Sequence, residues 1–120
     1  MLETPIELPC GVTLDNRIAK GAMSEQLAVR GMLPGRGLNR LYSRWAKGGA
    51  GMLLTGNVMV DASAVESPRN VVLEADTPLE PFRDWASVCQ DSPTSLWVQL
   101  NHPGRQIPRY INRRPPAPSE

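Results

Sequence analysis

Two cysteines, one histidine and one phenylalanine are all that the 120 residues hold of those types, and each shortage closes off a class of function. Cys10 and Cys89 lie far apart, with no CxxC pair. Together with His102 they fall short of the roughly four ligands of a structural zinc site, so no metal centre is expected. The thiols are expected to be reduced and buried or half-buried, unless the fold happens to bring them together. Charge of one sign is lacking too: the net charge is +1, which gives no electrostatic reason for a nucleic-acid or anionic-membrane partner. No apolar run approaches the roughly 18 residues needed to span a bilayer. Residues 1–11 lack the charged start and apolar core of a signal peptide. Cytoplasmic residence is therefore expected.

What remains is ordinary: 41% hydrophobic and 21% charged residues, the balance of a globular chain and not of a disordered one. The length suits one small domain or part of a larger one. Pro5, Pro9 and Gly11 punctuate two short apolar pieces, 6–8 and 12–14, which read as a small hairpin. Residues 16–23 carry Ile18, Ala19 and Met23 among small residues and predict a buried strand. Gly31, Pro34, Gly35 and Gly37 make 31–37 a loop. Leu38, Leu41, Tyr42 and Trp45 then recur at helical spacing, with Arg40, Ser43, Arg44 and Lys47 on the other side. Gly48 and Gly49 end that helix, since glycine enters the left-handed conformation cheaply.

Residues 51–55 contain an unbroken apolar run, suited to a strand covered on both faces. A second helix is expected from about Pro78, capped by Thr77 with Glu80 completing a capping box. Its stripe is Leu79, Phe82, Ala86 and Cys89. A third strand spans 96–100, followed by a proline- and arginine-rich tail without periodicity. Strand, helix, strand, helix, strand predicts parallel βαβ units. Three parallel strands leave an open edge, so the pattern looks like part of a larger sheet.

In α/β barrels ligands sit at the carboxyl ends of the strands. The three strands end in Gly21, Ala22, Met23 and Ser24; in Thr55, Gly56 and Asn57; and in Gln99 and Asn101. Small residues let a backbone approach a flat ligand, and Ser, Asn and Gln bring neutral donors and acceptors. Gln99 in an apolar strand needs a partner if buried. A ligand's amide edge could serve, as could a backbone group. Ser24 could equally satisfy a loop N–H, and Asn57 could be turn chemistry. His102 reads as a loop residue, and Arg105, Arg109, Arg113 and Arg114 as a solvated cluster.

Three blocks carry a family resemblance. LPCGVTLDNRIAKGAMSEQLA resembles the opening of the old yellow enzymes, with its hairpin, Asn-Arg-Ile strand and small-residue stretch ending in Met plus a hydroxyl residue. LYSRWAKGGAGMLLTGNVMVD is similar to that family's first helix and second strand, and WVQLNHPGRQ to its third strand. With their connections the blocks span nearly the whole chain, in the family's order. The resemblance implies a partial (β/α)8 barrel, about three βα units after an N-terminal hairpin, within an FMN-binding NADH:flavin oxidoreductase domain. It implies FMN, NADH or NADPH as reductant, and a small-molecule substrate with an activated carbon–carbon double bond. Carried over by position, Gly21, Ala22, Met23 and Ser24 would line one edge of the flavin. Ser24 would stand near a ring carbonyl and tune the potential, and Gln99 would bond the pyrimidine end. Asn57 stands where the family usually has Ala or Gly, and Ala22 where it often has Pro.

The family's substrate-holding His pair, proton-donating Tyr, flavin-contacting Arg and glycine-rich phosphate loops match nothing within residues 1–120, so no catalytic residue is assigned. The expectation is a truncated piece, inactive alone. A non-catalytic fragment pairing through its open sheet edge is the alternative. An aldolase-type barrel would require a Schiff-base lysine, for which only Lys20 comes close.

Overall fold

A computed structural model describes residues 1–116. The chain opens with a hairpin of β1 (Ile6–Glu7) and β2 (Thr13–Leu14), antiparallel, with Ile6 opposite Leu14. Gly11 takes φ +84° at its turn and donates its N–H to the Leu8 carbonyl at 2.8 Å. There follow β3 (Ala19–Lys20), α1 (Arg36–Ala46), β4 (Met52–Met59), β5 (Val71–Val72), α2 (Glu80–Ser87) and β6 (Ser95–Asn101). A single 3-10 turn, Gly104–Gln106, comes after β6.

The expected parallel arrangement is present, with β4 at its centre. Leu53 is flanked by Lys20 of β3 and Leu96 of β6, while Val58 is flanked by Val71 of β5 and Leu100 of β6. Thus β3 and β5 share one edge of β4, lower and upper, and β6 holds the other. All three pairings are parallel. The outer edge of β6 has no strand partner among the described residues, and Leu100 on it is 60% exposed. The sheet is open, not a closed barrel.

Both helices pack on one face. Leu38, Tyr42 and Ala46 of α1 and Trp85 of α2 bury against Leu53 and Val58 of β4, together with Val71 and Cys89. The Tyr42 ring meets Trp45 and Trp85 edge-on, with centroids 5.0 and 5.2 Å away. Each such side chain taken from water contributes about 1.5–3 kcal/mol. Gly49, with φ +81°, follows α1 as its glycine pair predicts. The Thr94 hydroxyl then donates to the Ala46 and Ala50 carbonyls at 3.2 and 2.7 Å, tying the end of the helix to the start of β4. Asn16 does the same for β3: its Oδ1 accepts from the N–H groups of Ile18 and Gly51, and its Nδ2 donates to the Gly49 carbonyl.

Four expectations need correction. The strand expected over 16–23 shrinks to two residues and is not buried, with Ile18 46% and Met23 56% exposed. Residues 21–24 leave the ladder after the Lys20–Leu53 pair, and β5 joins β4 only at Val58 and Met59. The second strand does not end in Thr55, Gly56 and Asn57 but runs to Met59. Across Leu54 to Asn57 it advances three residues while β6 advances two, from Trp97 to Gln99, so one residue of β4 is extra. This is a β-bulge. Third, α2 begins at Glu80 with Pro81 in its first turn. Thr77 does not cap it, because the Thr77 hydroxyl instead accepts from the Glu74 N–H at 2.8 Å. Fourth, the two thiols differ: both are free, Cys89 is buried and Cys10 is exposed. No helix among the described residues is long and apolar enough to cross a membrane.

Candidate functional site

The bulge decides which side chains meet at the top of the sheet. Leu53 and Thr55 lie on the helix-covered side, Leu53 within the core and Thr55 beside Leu96, Val98 and Trp85. Strict alternation would send Asn57 there as well. The extra residue turns Asn57 to the opposite face, where its register partner is Gln99. At the bulge the buried Thr55 hydroxyl accepts the Gln99 backbone N–H at 2.9 Å.

Asn57 and Gln99 then bond side by side, with Gln99 Nε2 donating to Asn57 Oδ1. Asn57 Nδ2 donates to Glu66 Oε1 at 2.7 Å, and the Ser24 hydroxyl donates to Glu66 Oε2 at 3.2 Å. One hydrogen-bonded chain therefore runs Ser24, Glu66, Asn57, Gln99, across the 21–24 loop, the loop after β4, and two strands. The three polar residues singled out from the sequence share one rim. Asn57 is a strand residue and not turn chemistry, and Ser24 bonds a carboxylate and not a loop N–H. Glu66 was not foreseen: a lone carboxylate in Ala-Val-Glu-Ser-Pro carries no spacing signal. No side-chain hydrogen bond other than that to Asn57 engages the Gln99 amide among the described residues.

The rest of the rim is small or exposed. A Cβ added at Gly21 would meet nothing within 4 Å, Ala22 is half-buried, and the Met23 side chain stands out into solvent. Behind the rim a second polar group locks the 21–25 loop to β4. Glu25 Oε1 accepts from the Gly56 N–H at 3.1 Å and from the Tyr42 hydroxyl. Gly56 has no room for a side chain: an added Cβ would lie 2.2 Å from the Met23 carbonyl oxygen and 2.4 Å from Glu25 Oε2. Burial, then the adjacent Glu25 carboxylate, push the Tyr42 phenol far above its usual range.

Lys20 belongs to this rear layer. Its ammonium donates to the Leu54 carbonyl at 2.7 Å and sits 4.7 Å from the Trp45 ring centroid and 5.3 Å from that of Tyr42. Burial lowers its pKa, against the pull of Glu25. It therefore faces the helices, away from the rim that a Schiff-base lysine would have to reach.

His102 stays apart from the cluster. Its Nδ1 accepts from the Gly104 N–H at 3.1 Å, and its Nε2 lies 3.8 Å from Asp61. Asp61 is held below the usual carboxylate range by hydrogen bonds from Ser63 and, less, by His102. Arg105, Arg109, Arg113 and Arg114 are exposed. Among the described residues no three His, Cys, Asp or Glu are grouped to hold a metal ion. An apolar groove of about 310 Å³ lies on the helix side, lined by Leu79, Phe82, Trp85, Leu96 and Val98. It is on the opposite face from Asn57 and Gln99.

Comparisons with known proteins agree on one group. No protein-family model matches the chain. It is 44% identical over 108 residues to the NADH-dependent flavin oxidoreductase iliE of Hypocrea jecorina, covering 87% of this chain and 27% of that one. It is 43% identical over 111 residues to the NADH-dependent flavin oxidoreductase iccE of Talaromyces variabilis, covering 89% and 27%. Among solved structures, the old yellow enzyme homologue of Zymomonas mobilis superposes with TM-score 0.85 at 24% identity, over 98% of this chain and 33% of that one. Morphinone reductase gives 0.85 at 21% identity, over 98% and 31%. The chain thus spans about a quarter of the length of these curated relatives, and the structural likenesses establish a shared fold.

Proposed function

We propose that this chain belongs with the old yellow enzymes and NADH-dependent flavin oxidoreductases, which it resembles in sequence and fold, and that it supplies flavin-facing strands of an FMN-dependent oxidoreductase. The reaction class is hydride transfer from NADH or NADPH, by way of FMN, to a small molecule with an activated double bond. The single observation that carries this reading is the neutral amide rim of Asn57 and Gln99, reached by Ser24 through Glu66 and lying beside open, small-residue backbone.

The donor set fits a flavin. An isoalloxazine is flat, and its pyrimidine end carries ring carbonyls and an N–H. It therefore needs neutral donors and acceptors at an edge and little bulk nearby. Gln99 offers a half-buried amide for the pyrimidine end, while Gly21, Ala22 and Met23 bring backbone and a flexible thioether. Asn57 brings an amide, held by Glu66, to a place where family members usually have a smaller residue. When bound, the flavin would supply the capacity to accept and pass on a hydride; this chain's residues bind, orient and tune. Gln99 holds the ring edge, Asn57 buttresses Gln99, and Ser24 sets the local polarity beside the carbonyl it faces. Lys20, Tyr42, Glu25 and Gly56 keep the 21–25 loop against β4 so that the edge does not drift.

The test is Gln99→Ala in the protein carrying this sequence. Losing a hydrogen bond to the ring should weaken FMN binding by about five- to tenfold, the worth of roughly 1–1.5 kcal/mol. It should also shift the flavin midpoint potential. Unchanged affinity and potential would remove Gln99 from the site. A second reading rests on the bare outer edge of β6, which could pair with another chain. Size in solution and flavin absorbance separate the two: a colourless oligomer favours edge pairing, a yellow protein the flavin reading.

A further inference from the structure

Gln99 could face its neighbours in two ways, and the hydrogen-bond chain permits only one. A carboxylate accepts hydrogen bonds and cannot donate them. The 2.7 Å contact from Asn57 to Glu66 Oε1 must therefore come from the Asn57 NH2 group, since a carbonyl oxygen there would set two acceptors against each other. That places Asn57 Oδ1 on the side of Gln99, where it too can only accept. Gln99 must answer with its Nε2. Amide orientations are normally decided by such networks and not seen directly, and here an acceptor at one end propagates through two residues. What Gln99 has left is its Oε1 and one N–H, an acceptor and a donor side by side. Were the chain reversed, Gln99 would spend its oxygen on Asn57 and turn two N–H donors outward.

We infer that Glu66 is a positioning residue: its carboxylate fixes the direction of the Asn57 and Gln99 amides. It thereby makes the rim specific for a ring edge carrying an N–H next to a carbonyl. Ser24 takes part by donating to the second carboxylate oxygen, which holds the Glu66 side chain from the far side at 3.2 Å. The inference rests on the flavin reading for the identity of the ligand, but not for the role of Glu66. The chemistry it selects is an imide or lactam edge, such as that of an isoalloxazine. A ring whose N–H is methylated offers nothing for Gln99 Oε1 to accept.

The experiment compares FMN with its N3-methyl analogue, titrated by flavin fluorescence into the protein carrying this sequence. Wild type should prefer FMN by about tenfold or more, the worth of one matched hydrogen bond plus the penalty of an unpaired acceptor. Glu66→Gln can donate to Asn57, lets the chain reverse, and should lose most of that preference. Glu66→Asp stays acceptor-only and should keep it. A variant that merely loosened the loop would weaken both flavins alike, so an equal preference in Glu66→Gln and wild type overturns the inference. A second readout needs no flavin: exchange of the Asn57 side-chain NH2 hydrogens, followed by NMR. Slow exchange in wild type and fast exchange in Glu66→Ala support the role of Glu66; equal rates overturn it. Wild type that binds neither flavin, while its amide exchange is slowed, sinks the flavin reading and leaves the carboxylate's role standing.

Discussion

Replacing Gly56 with alanine would put a methyl group into space already filled by backbone. The added Cβ would lie 2.2 Å from the Met23 carbonyl oxygen, 2.8 Å from the Met23 carbonyl carbon and 2.4 Å from Glu25 Oε2. The carboxylate could swing away, but the carbonyl belongs to a loop pinned on both sides. Overpacking of this kind costs about 1–3 kcal/mol. If Glu25 moves, the buried Tyr42 hydroxyl loses its acceptor, for about 1–3 kcal/mol more, while the Gly56 N–H keeps the Tyr42 oxygen at 3.3 Å. Because the two strains partly relieve one another, a loss of about 2–5 kcal/mol is expected, a large part of a typical domain's stability. Urea unfolding followed by the fluorescence of Trp45, Trp85 and Trp97 measures it. Gly21→Ala is the matched control, since its Cβ would meet nothing within 4 Å, and it should stay within about 0.5 kcal/mol of wild type. A Gly56→Ala protein equally close to wild type would refute the reasoning about the Met23–Gly56 contact.

Tyr42 sets an alkaline limit. Its folded-state pKa is raised by burial and by Glu25, so its contribution is fully present below the unfolded phenol's value of about 10 and is lost as pH rises beyond it. Urea midpoints of wild type should fall above about pH 10, and those of Tyr42→Phe should fall less. Thr94→Val keeps the shape of the side chain but strips the hydroxyl from the Ala46 and Ala50 carbonyls. A loss of about 1–3 kcal/mol is expected in thermal or urea unfolding, and a loss under 0.5 kcal/mol would show that Ser92 or water takes over. The outcomes for Gln99→Ala and Glu66→Gln in flavin titrations complete the set.

The alternation of strands and helices was legible because its signals are local. The Leu38, Tyr42 and Trp45 stripe and the glycine pair after it announce α1, and the apolar runs announce β4 and β6. The hydroxyl and amides of the rim, Ser24, Asn57 and Gln99, were visible as polar residues ending apolar strands. What stayed hidden depends on partners distant in sequence. Val71 and Val72 are too few to show a period, yet they pair with Val58 and Met59 of β4, a strand the spacing did not announce. Thr77 has the sequence of a cap but lies closer to the Glu74 N–H. Thr-Gly-Asn reads as a turn until β6 is laid beside it, and only then does the extra residue appear. Glu66 sits in a loop whose sequence says nothing of Asn57, nine residues away, or of Ser24, forty-two residues away.

The supernumerary residue in β4 offsets the strand's odd and even positions by one, so that Thr55 and Val58, three apart, share the helix-covered side while Asn57 stands on the other. Excising Gly56 would close that offset and leave Asn57 opposite Gln99 and Val58 toward the helices. What would go with it is the N–H that Glu25 and Tyr42 accept, and so a fastening between β4 and the 21–25 loop. A residue with no side chain thus serves as a mooring for the neighbouring loop, and its loss would be felt there before it was felt in the amide pair.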